Sequence, residues 1–274
     1  MVRTRAQDRR DSLAGKTTLQ SSPASKGSST KRARPASNAT AEHKEGGPKT
    51  KKRKPNKNNQ QSGVKNNQAA SIDPEIQKRL DKHGEWPLAN SGLTGPHQPN
   101  AKTILAHVFN ALLSSTRISH QIAAKSVQCV LDAGYADLSK LEASTWHERT
   151  EVLTEGGYTH YRERTATQLG DLAKLIREKY NGNLKNMLEQ AKSKDEVRQL
   201  LGELKGIGKV GLDIFCDTIQ GVWPSVAPFL DPRSLKYAES IGIGKSIDEL
   251  WEVVGKDAGT MCRLAAALTT RRLG

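Results

Sequence analysis

Cysteine is scarce in this 274-residue chain, and its three cysteines, Cys129, Cys216 and Cys262, stand far apart. They form no Cys-x-x-Cys pair and no spacing suited to zinc or an iron–sulfur cluster. The seven histidines, His107, His120 and His160 among them, show no paired ligand spacing and read as structural residues, so no metal site is expected. Cysteine usage of this kind fits a reducing, intracellular compartment. No run approaches the roughly 18 apolar residues of a membrane span, and the amino terminus lacks the apolar core of a secretion signal. No membrane partner is expected. Convincing period-two alternation, Asn-Gly hairpins and internal repeats are also missing, which argues against strands.

Aromatic residues make up only 4% of the chain, and none falls within residues 1–70. That segment has 17 Lys/Arg against 4 Asp/Glu, almost no branched aliphatics, and much Ser, Thr, Asn, Gly and Pro. It cannot bury enough apolar surface to offset its ordering entropy, so it reads as a disordered basic tail. The tail carries nearly all of the formal net charge of +14, because residues 71–274 hold 26 basic and 25 acidic side chains. Any affinity for nucleic acid must therefore come from the tail or from a local patch. Two compact clusters in the tail, KRARP (Lys31 to Pro35) and PKTKKRKPNK (Pro48 to Lys57), look like nuclear-import signals, since an extended cationic strand fits an acidic receptor groove. The expectation is a nuclear protein with an import receptor as partner. A tail that is merely solvated, or that grips phosphates non-specifically, is the alternative, and the two can coexist.

From Ile72 onward the pattern is helical. Asp73-Pro74 is an N-cap followed by proline at the first helical position and opens a helix to about His83. Residues 84–100 read as a loop. Ile104, Leu105, Val108, Phe109, Leu112 and Leu113 recur at helical spacing, and a further helix covers about Ser119 to Ala133. Capping boxes appear at Thr145-x-x-Glu148, Ser193-x-x-Glu196 and Ser246-x-x-Glu249. A long helix spans Arg162 to Tyr180, and two more lie near Ile247–Gly255 and Gly259–Arg271. The fold class is all-α with nine or ten helices, divided into the tail (1–70), a short helix and linker (71–100) and a helical domain (101–274).

The stretch LKGIGKVGLDIF, Leu204 to Phe215, joins two of these helices. Gly206 lets the backbone turn sharply, Gly208 keeps side chains away from an approaching ligand, and Ile207 can plug into the core. The second helix, from about Gly208 to Ile219, points free amides and its positive dipole end outward, which suits an anion. Lys205 and Lys209 flank the turn. A plain tight helix–helix corner is the simpler reading of the same residues. Downstream, in VWPSVAPFLDPRSLKYA, Asp231-Pro232 reads as a helix N-cap on its own. A fixed carboxylate there could equally stabilise a developing positive charge or orient a water.

This hairpin–helix–loop–aspartate order resembles the helix-hairpin-helix (HhH-GPD) DNA glycosylase superfamily, and most closely its endonuclease III-like branch. The resemblance extends from ILAHVFNALLSS (Ile104 to Ser115) through GGYTHYRERTATQL (Gly156 to Leu169) to AALTTRRLG at the end. It implies a two-lobed helical fold and a DNA glycosylase acting as a monomer on double-stranded DNA in base-excision repair. It also implies that the backbone of Gly206, Ile207, Gly208 and Lys209 binds a phosphate, with a monovalent cation beside it, and that Asp231 is the catalytic carboxylate. Members of the family that also cut the strand place a Schiff-base lysine where Val210 stands here, so the resemblance implies base removal by water without a lyase step. Thr116 falls where many relatives carry a glutamine that fills the gap left by the flipped base. The four-cysteine iron–sulfur loop has no counterpart. Tyr158, Tyr161 and Trp223 are candidates to line a base pocket by stacking, and Arg162 and Arg164 to touch phosphates; core packing and a solvated helix face are the simpler readings. A DNA-binding protein without catalysis and a protein-interaction module on the same scaffold stand beside the enzyme reading.

Overall fold

Short polar side chains at the heads of apolar-periodic runs set where the helices begin. The computed structural model describes residues 72–273, which form twelve α-helices, one 3-10 turn and no strand. The tail and its two basic clusters lie outside the described residues. Helix α1 (Pro74–His83) starts under Asp73, whose Oδ1 accepts the amides of Glu75 at 2.8 Å and Ile76 at 3.4 Å. Asn100 and Ser119 cap α2 (Ala101–Ser114) and α3 (His120–Asp132) in the same way, and Asp137 caps α4 (Leu138–Ala143). At α5 (Trp146–Glu155) the capping box is complete: Glu148 donates its amide to Thr145 Oγ1, and Thr145 donates its own to the Glu148 carboxylate.

After α6 (Arg162–Lys179) and α7 (Lys185–Gln190) come α8 (Lys194–Gly202) and α9 (Lys209–Ile219), which enclose the glycine hairpin. The 3-10 turn Pro224–Val226 leads to α10 (Pro232–Ser240), α11 (Ile247–Val253) and α12 (Ala258–Leu273). Ser193 and Ser246 cap α8 and α11 through the amides of Glu196 and Glu249. In both, the glutamate reaches one residue further back than a capping box requires, to the amide of Lys192 or Lys245 at 2.7 Å. Helices α4 and α7, six residues each, are too short to give a periodic signal in the sequence.

The apolar faces meet in two cores. The first is built around α2, whose Ile104, Val108, Phe109 and Leu113 are buried, with contributions from α3, α6, α8 and α9. The second gathers Ile76 and Leu80 of α1 with Leu230, Ala238, Leu250, Met261, Leu264 and Leu268. Helix α1 lies along α12 and completes that second core. Arg263 of α12 ties them by donating to the carbonyls of Gly84 at 2.8 Å and Leu80 at 3.3 Å, which end α1.

Two features bring the halves into register. Helix α9 packs against α2 on one side and α12 on the other. Trp86, in the linker, wedges between Gly221 and Gly259, where an added Cβ would stand 2.6 Å from its Cζ3 and 2.8 Å from its Cη2. The linker is thereby pinned along the seam between the cores. Inside the first core His107 is fully buried with Nδ1 3.1 Å from Thr218 Oγ1; burial, helped by His97, pushes its pKa down to about 3, so it is a neutral core residue.

Candidate active site

The hairpin takes its shape from two glycines used in different ways. Gly206 has φ +95°, and a Cβ there would lie 2.6 Å from Gln168 Cδ and 2.7 Å from Leu112 Cδ1. Neither the backbone nor the packing admits a side chain. Gly208 is the N-cap of α9 in extended backbone, and a Cβ there would meet nothing within 4 Å. Its role is openness. No side chain caps α9, so the first-turn amides, which have no partner within the helix, face outward. Leu204 and Ile207 plug the first core from the turn, and the Ile207 amide closes it by donating to Leu204 O at 3.1 Å.

A hollow of about 360 Å³ lies beside these amides. Arg117, Arg164 and Lys209 supply positive charge to it, Ser115, Thr116 and Gln168 supply hydrogen-bonding groups, and no carboxylate lines it. The structure therefore brings together Gly206, Gly208, Lys209 and Thr116, with Ile207 packed beneath. Lys205 is directed elsewhere: it forms an ion pair with Asp171 of α6 at 3.0 Å, a partner 34 residues away that the hairpin motif does not reveal. Thr116 is tied to the wall, donating to Leu113 O at 3.1 Å and lying 2.9 Å from the Tyr158 hydroxyl. Tyr158 is a core residue, Tyr161 lines the hollow, and Trp223 packs on the first core away from it. Arg162 turns back to Thr154 of α5 at 3.3 Å.

A larger cleft of about 850 Å³ follows the seam between the two cores and shares Ser115, Thr116, Arg117 and Val210 with the hollow as a common wall. Lys82, Arg117, Arg233 and Arg272 make it basic, against Glu85 and Asp217. Val210, 40% exposed, stands on the shared edge, where an amine would face both spaces.

Asp231 is buried behind the wall of this cleft, only 3% exposed. It caps α10: Oδ1 accepts the Arg233 amide at 2.9 Å and the Arg233 Nε at 3.3 Å, while Oδ2 accepts the Ser234 hydroxyl, with Arg272 Nη2 at 3.9 Å. Asp231 is not itself a wall of the cleft; Arg233 and Arg272 stand in front of it. Burial alone would raise its pKa. The Ser234 and Arg233 hydrogen bonds and the Arg272 charge outweigh that and hold it below the usual carboxylate range.

The Asp231 amide donates to Asp217 Oδ1 at 3.0 Å. Asp217, in the same helix as the hairpin amides, is 7% exposed and does line the cleft. Burial first, and then the Asp231 charge, push its pKa well above the usual range. Sequence reasoning missed it. The available signal was two aspartates one turn apart, Asp213 and Asp217, on an otherwise apolar helix. Asp213 is accounted for by Arg198, at 2.7 Å; Asp217 is left without an ion pair among the described residues.

No family model matches this chain, and no curated protein does. A crystal structure of H. pylori 3-methyladenine DNA glycosylase (MagIII) bound to 1,N6-ethenoadenine is similar at 19% identity with a TM-score of 0.43, over 72% of this chain and 96% of that one.

Proposed function

We propose that this chain is a DNA glycosylase of base-excision repair that hydrolyses the N-glycosidic bond of an extruded damaged or mismatched base. The supporting observation is the shared wall: an anion hollow at the start of α9 opens along Ser115, Thr116, Arg117 and Val210 into a cleft that Asp217 lines, with Asp231 held behind it by the hydrogen bond from its amide to Asp217 Oδ1. In this reading a backbone phosphate rests on the α9 amides and Lys209, and the nucleotide rotates out of the stack into the cleft. Asp231, kept ionised, stabilises the oxocarbenium-like sugar and takes the proton of the attacking water. Access to it runs past Arg233, whose side chain is 56% exposed and rests on Asp231 at 3.3 Å, and past Arg272 at 3.9 Å; in this reading both guanidinium groups turn onto the DNA backbone to uncover the carboxylate. A monovalent cation beside that phosphate is part of the same reading: the carbonyls of Leu204 and Gly208 accept the amides of Ile207 and Leu212 and each keeps a second lone pair.

Val210 cannot form an imine, so the reaction stops at the abasic site. Borohydride added during turnover is expected to trap no covalent protein–DNA adduct, while alkali treatment of the same mixture reveals strand breaks at released bases. A trapped adduct would show a lyase amine elsewhere in the cleft. The tail is assigned to nuclear import and to non-specific DNA affinity on its composition alone.

The position of Asp231 behind two guanidinium groups favours a second reading, a DNA-binding protein without chemistry. A panel of duplexes, each with one damaged base, decides between the two, since base release separates them and DNA affinity does not. Either reading uses the hollow. Lys209→Ala and Arg164→Ala are each expected to weaken duplex binding and to reduce the slope of log K against log salt by about 0.9, the release of one phosphate's counterion. Lys205→Ala, whose charge is engaged by Asp171, is expected to change the slope little. Fluorescence anisotropy titrations at several salt concentrations measure all three.

A further inference from the structure

Asp217 plays no part in gripping the strand, yet it is the aspartate that the cleft itself exposes. It lies two turns beyond Val210 on α9, and its Oδ1 holds the Asp231 amide at 3.0 Å, which keeps the two carboxyl groups close neighbours. The surrounding cations are committed elsewhere. Arg198 pairs with Asp213, and Arg233 and Arg272 lean on Asp231 at 3.3 and 3.9 Å.

We propose that Asp217 is the acid of the reaction, passing its proton to the departing base, and that the site therefore serves neutral leaving bases and not only cationic, ring-alkylated ones. The inference rests on the glycosylase reading and names its substrate class. A base alkylated on a ring nitrogen is already cationic and leaves as a neutral molecule. A neutral base leaves as an anion unless a proton reaches it.

The balance is complete with the two aspartates and one water. The C1′–N bond breaks with both electrons going to the base, and the base takes the Asp217 proton. Water adds its oxygen to C1′ and gives a proton to Asp231. That proton returns to Asp217, and both groups are restored.

The electrostatics agree with these roles. Burial first, then the Asp231 charge and more weakly that of Asp213, raise the Asp217 pKa against the hydrogen bond from the Asp231 amide and the pull of Arg272, while the Asp231 pKa is held low. Environments that drive two neighbouring carboxyl groups apart mark one as acid and the other as base. Cys216 and Cys262 beside them are neutral thiols, pushed up to about 11 and about 12 by burial, and His107 on α2 is uncharged. Arg233, Arg272, Arg117, Lys82 and Glu85 are the other charged side chains that line the cleft, with His83 and His120.

The test uses the full chain, wild type and Asp217→Asn, in single-turnover base release from duplexes. One set carries a neutral lesion (hypoxanthine, uracil or 8-oxoguanine) and the other the cationic 7-methylguanine. The asparagine carbonyl can still accept the Asp231 amide but has no proton to give. Asp217→Asn is expected to slow release of neutral bases by about 100-fold or more and that of 7-methylguanine by less than about fivefold. Wild-type release of neutral bases should fall as pH rises and Asp217 loses its proton, and that limb should vanish in the variant. Equal losses on both classes would reduce Asp217 to a support for Asp231, and unchanged rates would leave it no role. Release of 7-methylguanine alone by the wild type would also overturn the proposal. If the variant does not fold, a pH-independent wild-type rate on neutral bases overturns it instead. A wild type that releases no base from either set removes the glycosylase reading itself, an outcome distinct from all of these.

Discussion

Asp231→Asn is expected to fold, to bind duplex DNA, and to release bases at least about 1,000-fold more slowly than the wild type, within the range of losses when a charge that stabilises a transition state is removed. The separation of fold from activity follows from the cap. Asparagine is as good an N-cap as aspartate, so its side-chain oxygen can still accept the Arg233 amide now held at 2.9 Å. The amide group would then face Ser234 and Arg272 in place of the second carboxylate oxygen, a change costing on the order of 1 kcal/mol. A urea midpoint corresponding to a loss within about 1.5 kcal/mol of wild type, together with absent alkali-labile sites, is the expected pair of results. Release by the asparagine variant within about tenfold of wild type would remove Asp231 from the chemistry and leave it a cap. Equal DNA affinity with no base release by either protein would support the binding-only reading.

Local chemistry made the start of most helices legible. Asp73, Thr145, Ser193 and Ser246 each cap the helix that their sequence pattern announces, because a cap depends on the next three amides and nothing further. The hairpin was legible for the same reason: turn, plug and open helix start all lie within Leu204 to Lys209. What escaped depends on chain that is distant in sequence. Asp217 gains its meaning from an amide 14 residues later, and Lys205 finds its ion-pair partner, Asp171, 34 residues earlier on α6. Trp86 is fixed by two glycines, Gly221 and Gly259, that no period or spacing connects to it. Pattern also placed Asp231 correctly as a cap without showing that Arg233 and Arg272 would stand between it and the cleft.

The two hairpin glycines should respond in opposite ways to the same methyl group. Gly206→Ala forces a side chain onto φ +95° and into Gln168 and Leu112 at 2.6 and 2.7 Å. Gln168 can swing away, but Leu112 is buried in the first core, so backbone strain and overpacking together cost about 2–4 kcal/mol, a fall in Tm of roughly 5–15 °C for a folded part of this size. Gly208→Ala meets nothing within 4 Å and keeps φ −96°. Alanine caps less well than glycine but restricts the unfolded chain, so stability should hold within about 1 kcal/mol. Its methyl nevertheless enters the space in front of the α9 amides, where the phosphate must approach to hydrogen-bonding distance. Gly208→Ala is therefore expected to keep the wild-type melting curve by circular dichroism and lose about tenfold or more in duplex affinity. Unchanged affinity in a fully folded Gly208→Ala protein would mean that no phosphate rests on those amides. The hairpin would then be only a corner between α8 and α9, with its glycine at 206 kept for packing alone.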